Sequence, residues 1–119
     1  MELLTKDIRE RLLLNGRIQR GLQDEGAAEA DFYPVVKLFT PDAGCTWLLT
    51  ELDPDDPDIA FGLCDLGLGF PELGSVSISE LRSIRGRLGL PVERDRHFAP
   101  TKTLSAYADE ARLHSCIKA

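Results

Sequence analysis

Four aspartates within six residues, Asp53, Asp55, Asp56 and Asp58 in DPDDPD, are the densest concentration of chemistry-bearing side chains in the sequence. Carboxylates so close together can hold hard cations such as calcium or magnesium, or meet a basic partner. An EF-hand is not matched: that loop needs alternating ligands, a glycine at its sixth position and a distal glutamate, and here two prolines stiffen the run. The run therefore reads as a solvated acidic turn and as the candidate partner-binding element, with no metal and no cofactor assigned to it.

The other reactive groups are sparse. Cys45, Cys64 and Cys116 are an odd number with wide gaps and no C-x-x-C pair, the pattern of buried thiols rather than of a disulfide framework or a structural zinc site. His97 and His114 stand at no metal-ligand spacing from them. A nucleophilic cysteine needs a basic neighbour to lower its pKa, so Cys45 or Cys64 with His97 is the one combination to weigh. Cys64 lies in the apolar run FGLCDLG, where packing is the default, and no catalytic residue is assigned. GLGFPELG, Gly67 to Gly74, resembles a phosphate-cradling loop only in its glycines: Glu72 stands where the third glycine belongs and no G-K-[ST] follows. Trp47, Phe39 and Phe61 read as core aromatics rather than as a base-stacking platform.

Arg82, Arg85, Arg87, Arg94 and Arg96 form a candidate anion-binding set, with Glu93 and Asp95 interleaved as possible internal partners. They belong to a bipolar charge pattern. From Asp24 to Glu72 twelve acids face the single base Lys37, a charge of −11, while the flanks together carry +5, for a net −6. A nucleic-acid-binding domain is usually basic over much of one face, so direct nucleic-acid binding is disfavoured. The arginines can meet the acids within one molecule or across a dimer.

The elements that must position these groups follow from periodicity and turn chemistry. Leu4 to Asn15 reads as a helix, with Thr5 as cap, Ile8 and Leu12 one turn apart, and Asn15-Gly16 as its stop. The stretch beyond Gly16, Arg17 to Asp31, reads as a loop with room for a helical turn. Pro34–Thr40 and CTWLLTEL, joined by the turn Pro41–Gly44, form a hairpin; Ile59–Leu66 is a third strand and SVSIS a fourth. Ser77 or Ser79 caps a helix carrying Leu81, Ile84 and Leu88 that ends near Gly89. VERDRHF is a short strand or extended return, and Leu104–Leu113 is a helix with Leu104, Tyr107, Ala108 and Ala111 on one side.

The predicted class is α+β: an antiparallel meander of four strands, with a fifth available, packed against two or three helices. At 119 residues with 43% hydrophobic content the chain has the size of a single domain. Its parts are an N-terminal helix and loop (1–30), a sheet-and-helix core (31–98) and a C-terminal helix (99–119). No apolar run approaches the ~20 residues of a membrane span, and the start lacks the basic-then-apolar order of a signal peptide, so a cytoplasmic protein is expected.

Three runs, DFYPVVKLFTPDAGCTWLLTELDPDDPD, AFGLCDLGLGFPELGSVSISELRSIRGRLGLPVERDRHF and TLSAYA, resemble an uncharacterised family of small acidic proteins encoded on bacterial plasmids, integrative elements and phages. The resemblance covers the chain from Asp31 onward and implies a genomic setting but no catalytic residue or cofactor. Combined with the acidic middle, it leads to the expectation of a non-enzymatic accessory protein that binds a partner protein, such as a host CRISPR or restriction complex. Two alternatives remain open: a small hydrolase using the acidic loop with a metal or Cys64 with His97, and a plasmid-maintenance or regulatory factor touching DNA through Arg82 to Arg96.

Overall fold

The computed structural model describes residues 2–119, which run α1 (Lys6–Asp24), β1 (Val36–Phe39), β2 (Thr46–Leu52), β3 (Ile59–Asp65), β4 (Glu72–Ser77), α2 (Ile78–Ser83), β5 (Glu93–Arg94) and α3 (Leu104–His114). The strands form one antiparallel sheet in the order β4-β3-β2-β1-β5. This is the predicted α+β meander, and the fifth strand is the one available in VERDRHF.

Strand alternation gives the sheet two apolar faces. On one, Val36, Leu38, Trp47, Leu49, Leu52 and Ala60 meet Leu12 of α1 and Ile78 and Leu81 of α2. On the other, Leu48 and Leu63, opposed across β2 and β3, meet Leu104, Tyr107, Ala108 and Ala111, the predicted stripe of α3. Thr5 and Ser77 cap α1 and α2 as predicted, each hydroxyl accepting a backbone N–H three residues on, at 3.2 Å.

Helix α1 does not stop at Asn15-Gly16 but continues to Asp24, so the first part of the predicted loop is helical. Gly16 is buried because the helix there presses against β2: a Cβ would lie 1.8 Å from the Leu52 carbonyl oxygen. Asn15 turns the same way and donates from Nδ2 to the Thr50 carbonyl oxygen at 2.9 Å. Both residues are thus present for close packing, not for a left-handed turn. The left-handed glycine is Gly26, with φ 68°, just beyond the helix.

Three other expectations need correction. Strand β4 begins at Glu72, so the end of GLGFPELG is strand and Gly74 pairs with Gly62. Helix α2 ends at Ser83 rather than near Gly89; Ile84 is extended, and Leu88 is 81% exposed instead of lying on an apolar stripe. Asp42 holds the loop that replaces the missing helical turns. Its Oδ2 accepts from the backbone N–H groups of Leu88 at 2.6 Å and Leu90 at 3.3 Å, and its carboxyl occupies the space that a Gly86 side chain would need. Of the three aromatics read as core, Trp47 is fully buried and Phe39 half-buried, but Phe61 lies at the surface.

The Gly16 contact reverses an ordinary helix rule. Alanine usually favours a helix interior over glycine by about 1 kcal/mol. Gly16→Ala is expected to lower stability by roughly 1–3 kcal/mol, because the methyl meets backbone that cannot swing aside. Gly21→Ala, with nothing within 4 Å of its Cβ, is expected to raise stability. Urea unfolding of the two variants measures both signs.

Candidate functional site

Where α1 passes the end of β2 it leaves an open cleft of about 240 Å³ between the helix, the β2–β3 corner and the sheet. Gln19 sets one wall. Its side chain pairs with the backbone of Ala30 in both directions, Nε2 donating to the carbonyl oxygen at 2.9 Å and Oε1 accepting from the N–H at 2.8 Å. That pair holds the segment carrying Glu29 beside the helix.

The opposite wall carries Glu51, half-buried at a β-bulge between Leu49 and Glu51. Its Oε1 receives only long hydrogen bonds, from Gln19 Nε2 at 3.5 Å and the Thr50 hydroxyl at 3.4 Å. Burial therefore dominates and pushes the Glu51 carboxyl above its ordinary range, against the pull of those two donors and with a further push from Glu29. Glu29, Glu51 and Asp53 line the cleft with Arg20 as its one cationic residue, and Gln19 and Gln23 add amides. The arrangement can accept a cationic group or a strong hydrogen-bond donor. Nothing in DPDDPD points to Glu51, which follows the apolar TWLLT run; the signal available was a carboxylate at the end of a strand that is otherwise buried.

The four aspartates form a surface turn, with Asp55 and Asp56 exposed, in which each carboxylate also has a partner. Arg20 grips two of them, Nη1 to Asp55 at 2.5 Å and Nη2 to Asp53 at 3.2 Å, and the Asp55 bond is the main cause of a raised Arg20 pKa. Asp56 closes its own turn by accepting from the N–H of Asp58 at 3.3 Å. Asp58 is committed to α2. Its carboxylate accepts from the Ser77 hydroxyl at 2.6 Å, the Ser79 hydroxyl at 2.8 Å and the Ser79 N–H at 2.9 Å, and these bonds hold its pKa below the usual aspartate range. Among the described residues no group of three or more His, Cys, Asp or Glu is arranged to hold a metal ion.

Two of the five arginines are engaged within the fold. Arg94 donates to the backbone oxygens of Glu2 and Leu3, fastening the N-terminal segment, and Arg85 turns back on the carbonyl oxygens of Arg82 and Ile84. Arg82, Arg87 and Arg96 are exposed. Asp95 pairs with Lys37 at 3.6 Å rather than with a neighbouring arginine. The thiols are half-buried rather than sealed; Cys64 packs against the first core cluster, and burial pushes it up to about 11, the opposite of what a nucleophile paired with His97 requires.

Glu51 and Asp58 give opposite pH signatures. Glu51 has a folded pKa above its unfolded value, so its ionised form opposes folding above that raised pKa and the penalty disappears below the ordinary glutamate pKa. Glu51→Gln is expected to raise the melting temperature at pH 7, with the gain fading as pH falls through the raised Glu51 pKa. Asp58 has a depressed folded pKa, so its stabilisation is present above the ordinary aspartate pKa and is lost as pH falls through the depressed value. Asp58→Asn is expected to lower the melting temperature at pH 7 and to converge with the native chain in acid. Thermal melts across pH test both.

No curated protein and no solved structure matches the chain. A family model described as "Protein of unknown function (DUF2958)" matches residues 3–118, which extends the likeness seen from Asp31 onward through α1 and to the end of α3. No helix among the described residues is long and apolar enough to cross a membrane. With almost its whole length matched, the chain belongs to the DUF2958 family.

Proposed function

We propose that this chain is a non-enzymatic binding protein whose acidic cleft receives a basic side chain from a partner protein. The observation that carries the reading is Glu51: a half-buried carboxyl short of good donors, in a cleft where Glu29 and Asp53 outnumber Arg20. An arriving guanidinium or ammonium provides the hydrogen bonds that burial has taken away and offsets the cost of burying the carboxylate. At about 240 Å³ the cleft suits one side chain better than a whole cofactor, since sites for drug-sized ligands run from about 300 to 1,000 Å³.

The setting is taken from the resemblance: an accessory protein of a bacterial plasmid, integrative element or phage, working in the host cytoplasm. A net charge of −6 favours a partner with a basic groove and steers its approach. Host defence machinery that handles nucleic acid, of the CRISPR or restriction kind, has that chemistry. Asp55 is paired with Arg20 and Asp58 with the start of α2, so the contact is centred on Glu51, with Glu29 and Asp53 beside it.

Titration of the isotope-labelled chain with a tetra-arginine peptide is expected to shift the amide signals of Gln19, Glu51 and Asp53. Glu51→Lys is expected to weaken that binding by about tenfold or more, or ~1.4 kcal/mol. Equal binding by Glu51→Lys would sink the cleft. Purified CRISPR and restriction complexes that all fail to retain a chain still able to bind the peptide would reject the partner class and leave the cleft standing.

A further inference from the structure

We propose that β4 pairs antiparallel with β4 of a second copy about a two-fold axis at Gly74, joining the two five-stranded sheets edge to edge. The proposal concerns the sheet edge, from which Ser75 also reaches the rim of the acidic cleft, and it stands without the cleft's binding role. Strand β4 ends the sheet order, with β3 as its one strand neighbour, so one row of its backbone N–H and C=O groups faces outward. Proteins usually blunt such edges with lysine, proline, a bulge or extreme shortness. The opposite edge, β5, is two residues long. By contrast β4 is six residues, ELGSVS, paired with β3 in unbroken register, and its one charge is Glu72 at its first position.

The residues along β4 suit a two-fold at Gly74. An axis perpendicular to the sheet keeps like faces on the same side, setting Glu72 opposite the partner's Val76 and Leu73 opposite the partner's Ser75. No like charges then oppose one another, which is what a stable cross-strand pairing requires. Gly74 meets its own copy at the axis, and a Cβ there would touch nothing of its own chain within 4 Å, so a side chain can be introduced at the axis.

The same operation pairs an exposed knob with an apolar groove. Phe70, at the tip of the β3–β4 connection, is 79% exposed and is carried level with the partner's Ile78, where α2 begins. Beside that point each copy has a groove lined by Trp47, Leu66, Val76, Leu81 and Ile84, with Glu80 at its side. Each copy thus offers a knob and receives one, the reciprocity of an isologous dimer.

The exposed surface is of the right order. Leu66, Leu68, Phe70 and Leu73 are 57, 74, 79 and 40% exposed. Taking about 200 Å² for a fully exposed large side chain, they offer roughly 500 Å² per copy, most of the ~800 Å² per partner of a standard interface. The strand edge and groove supply the remainder. A charge of −6 on each copy opposes the approach, and salt screens that repulsion.

Sedimentation or light-scattering mass measurement tests this directly. The native chain is expected to move from 13.2 kDa towards twice that mass as concentration and salt rise. Gly74→Asp, which sets two carboxylates against each other at the axis, and Phe70→Asp, which spoils the knob, are each expected to restore the monomer mass with an unchanged circular dichroism spectrum. Gly74→Cys is expected to cross-link into a dimer on oxidation, whereas Glu10→Cys on exposed α1 surface is not. A native chain that stays at 13.2 kDa at every concentration and salt overturns the proposal and leaves the edge to a strand of another protein. Dimers that survive both aspartate variants overturn it as well. Glu51→Lys changes peptide binding without moving the mass, so the cleft and the edge fail separately.

Discussion

The close approach of α1 to the end of β2 is the contact on which the rest of the arrangement depends. A glycine in a helix interior costs about 1 kcal/mol relative to alanine. Gly16 is kept there because the Leu52 carbonyl oxygen occupies the volume a methyl would need. One residue before, Asn15 binds the Thr50 carbonyl oxygen; one turn after, Gln19 fastens the returning chain at Ala30. Helix, strand and return segment are thereby locked together, and Leu12 on the same helix closes the core beneath them. The cleft is what remains open beside that lock. Its position and its half-buried Glu51 follow from how far the helix overruns the strand end.

A second organising interaction is the long-range carboxylate acceptor. Asp31 accepts from the N–H and hydroxyl of Ser105, and so caps α3 where Thr103 makes no side-chain cap bond. Asp42 holds the Gly86–Leu90 loop, Asp58 holds the start of α2, and buried Asp65 accepts from the N–H groups of Gly67 at 2.8 Å and Ile117 at 3.0 Å. Each satisfies backbone donors that a helix end or loop would otherwise leave without a partner. Four of the twelve acids between Asp24 and Glu72 therefore have a structural task inside the fold. Glu51 stands out in the cleft because the hydrogen bonds it receives are long.

These roles mark the boundary of what the sequence makes legible. Strand identity, the two side-chain caps and the α3 stripe are read from neighbours within one or two turns, and those readings agree with the structure. The misreadings share a cause: a residue whose partner lies far along the chain looks like one chosen for local reasons. Asn15-Gly16 has the composition of a helix stop, yet its partners Thr50 and Leu52 come from another element. Leu88 completes an apolar spacing with Leu81 and Ile84, but Asp42, 46 residues away, draws that backbone out of helix. DPDDPD is the surface turn its composition suggests, but its engagement by Arg20, 35 residues from Asp55, is invisible to any local pattern. The cleft was illegible for the same reason, since Gln19, Glu29 and Glu51 meet only after α1 is seen to extend past Gly16.

The cleft and the β4 edge are joined through the sheet itself. Glu51 pairs with Phe61, and Phe61 with Ser75, so one cross-strand row runs from the cleft wall to the residue beside Gly74. With β4 paired to its copy, that row continues through the partner's Leu73, and the two clefts become fixed to a single sheet at a set separation. A partner presenting two basic side chains at that separation would bind the second intramolecularly, at an effective concentration that can reach millimolar. On the proposed dimer a weak, one-residue cleft would suffice for firm attachment, and selectivity would arise from spacing as well as charge. That geometry favours symmetric or repetitive partners over isolated basic peptides, because only the former engage both copies at once.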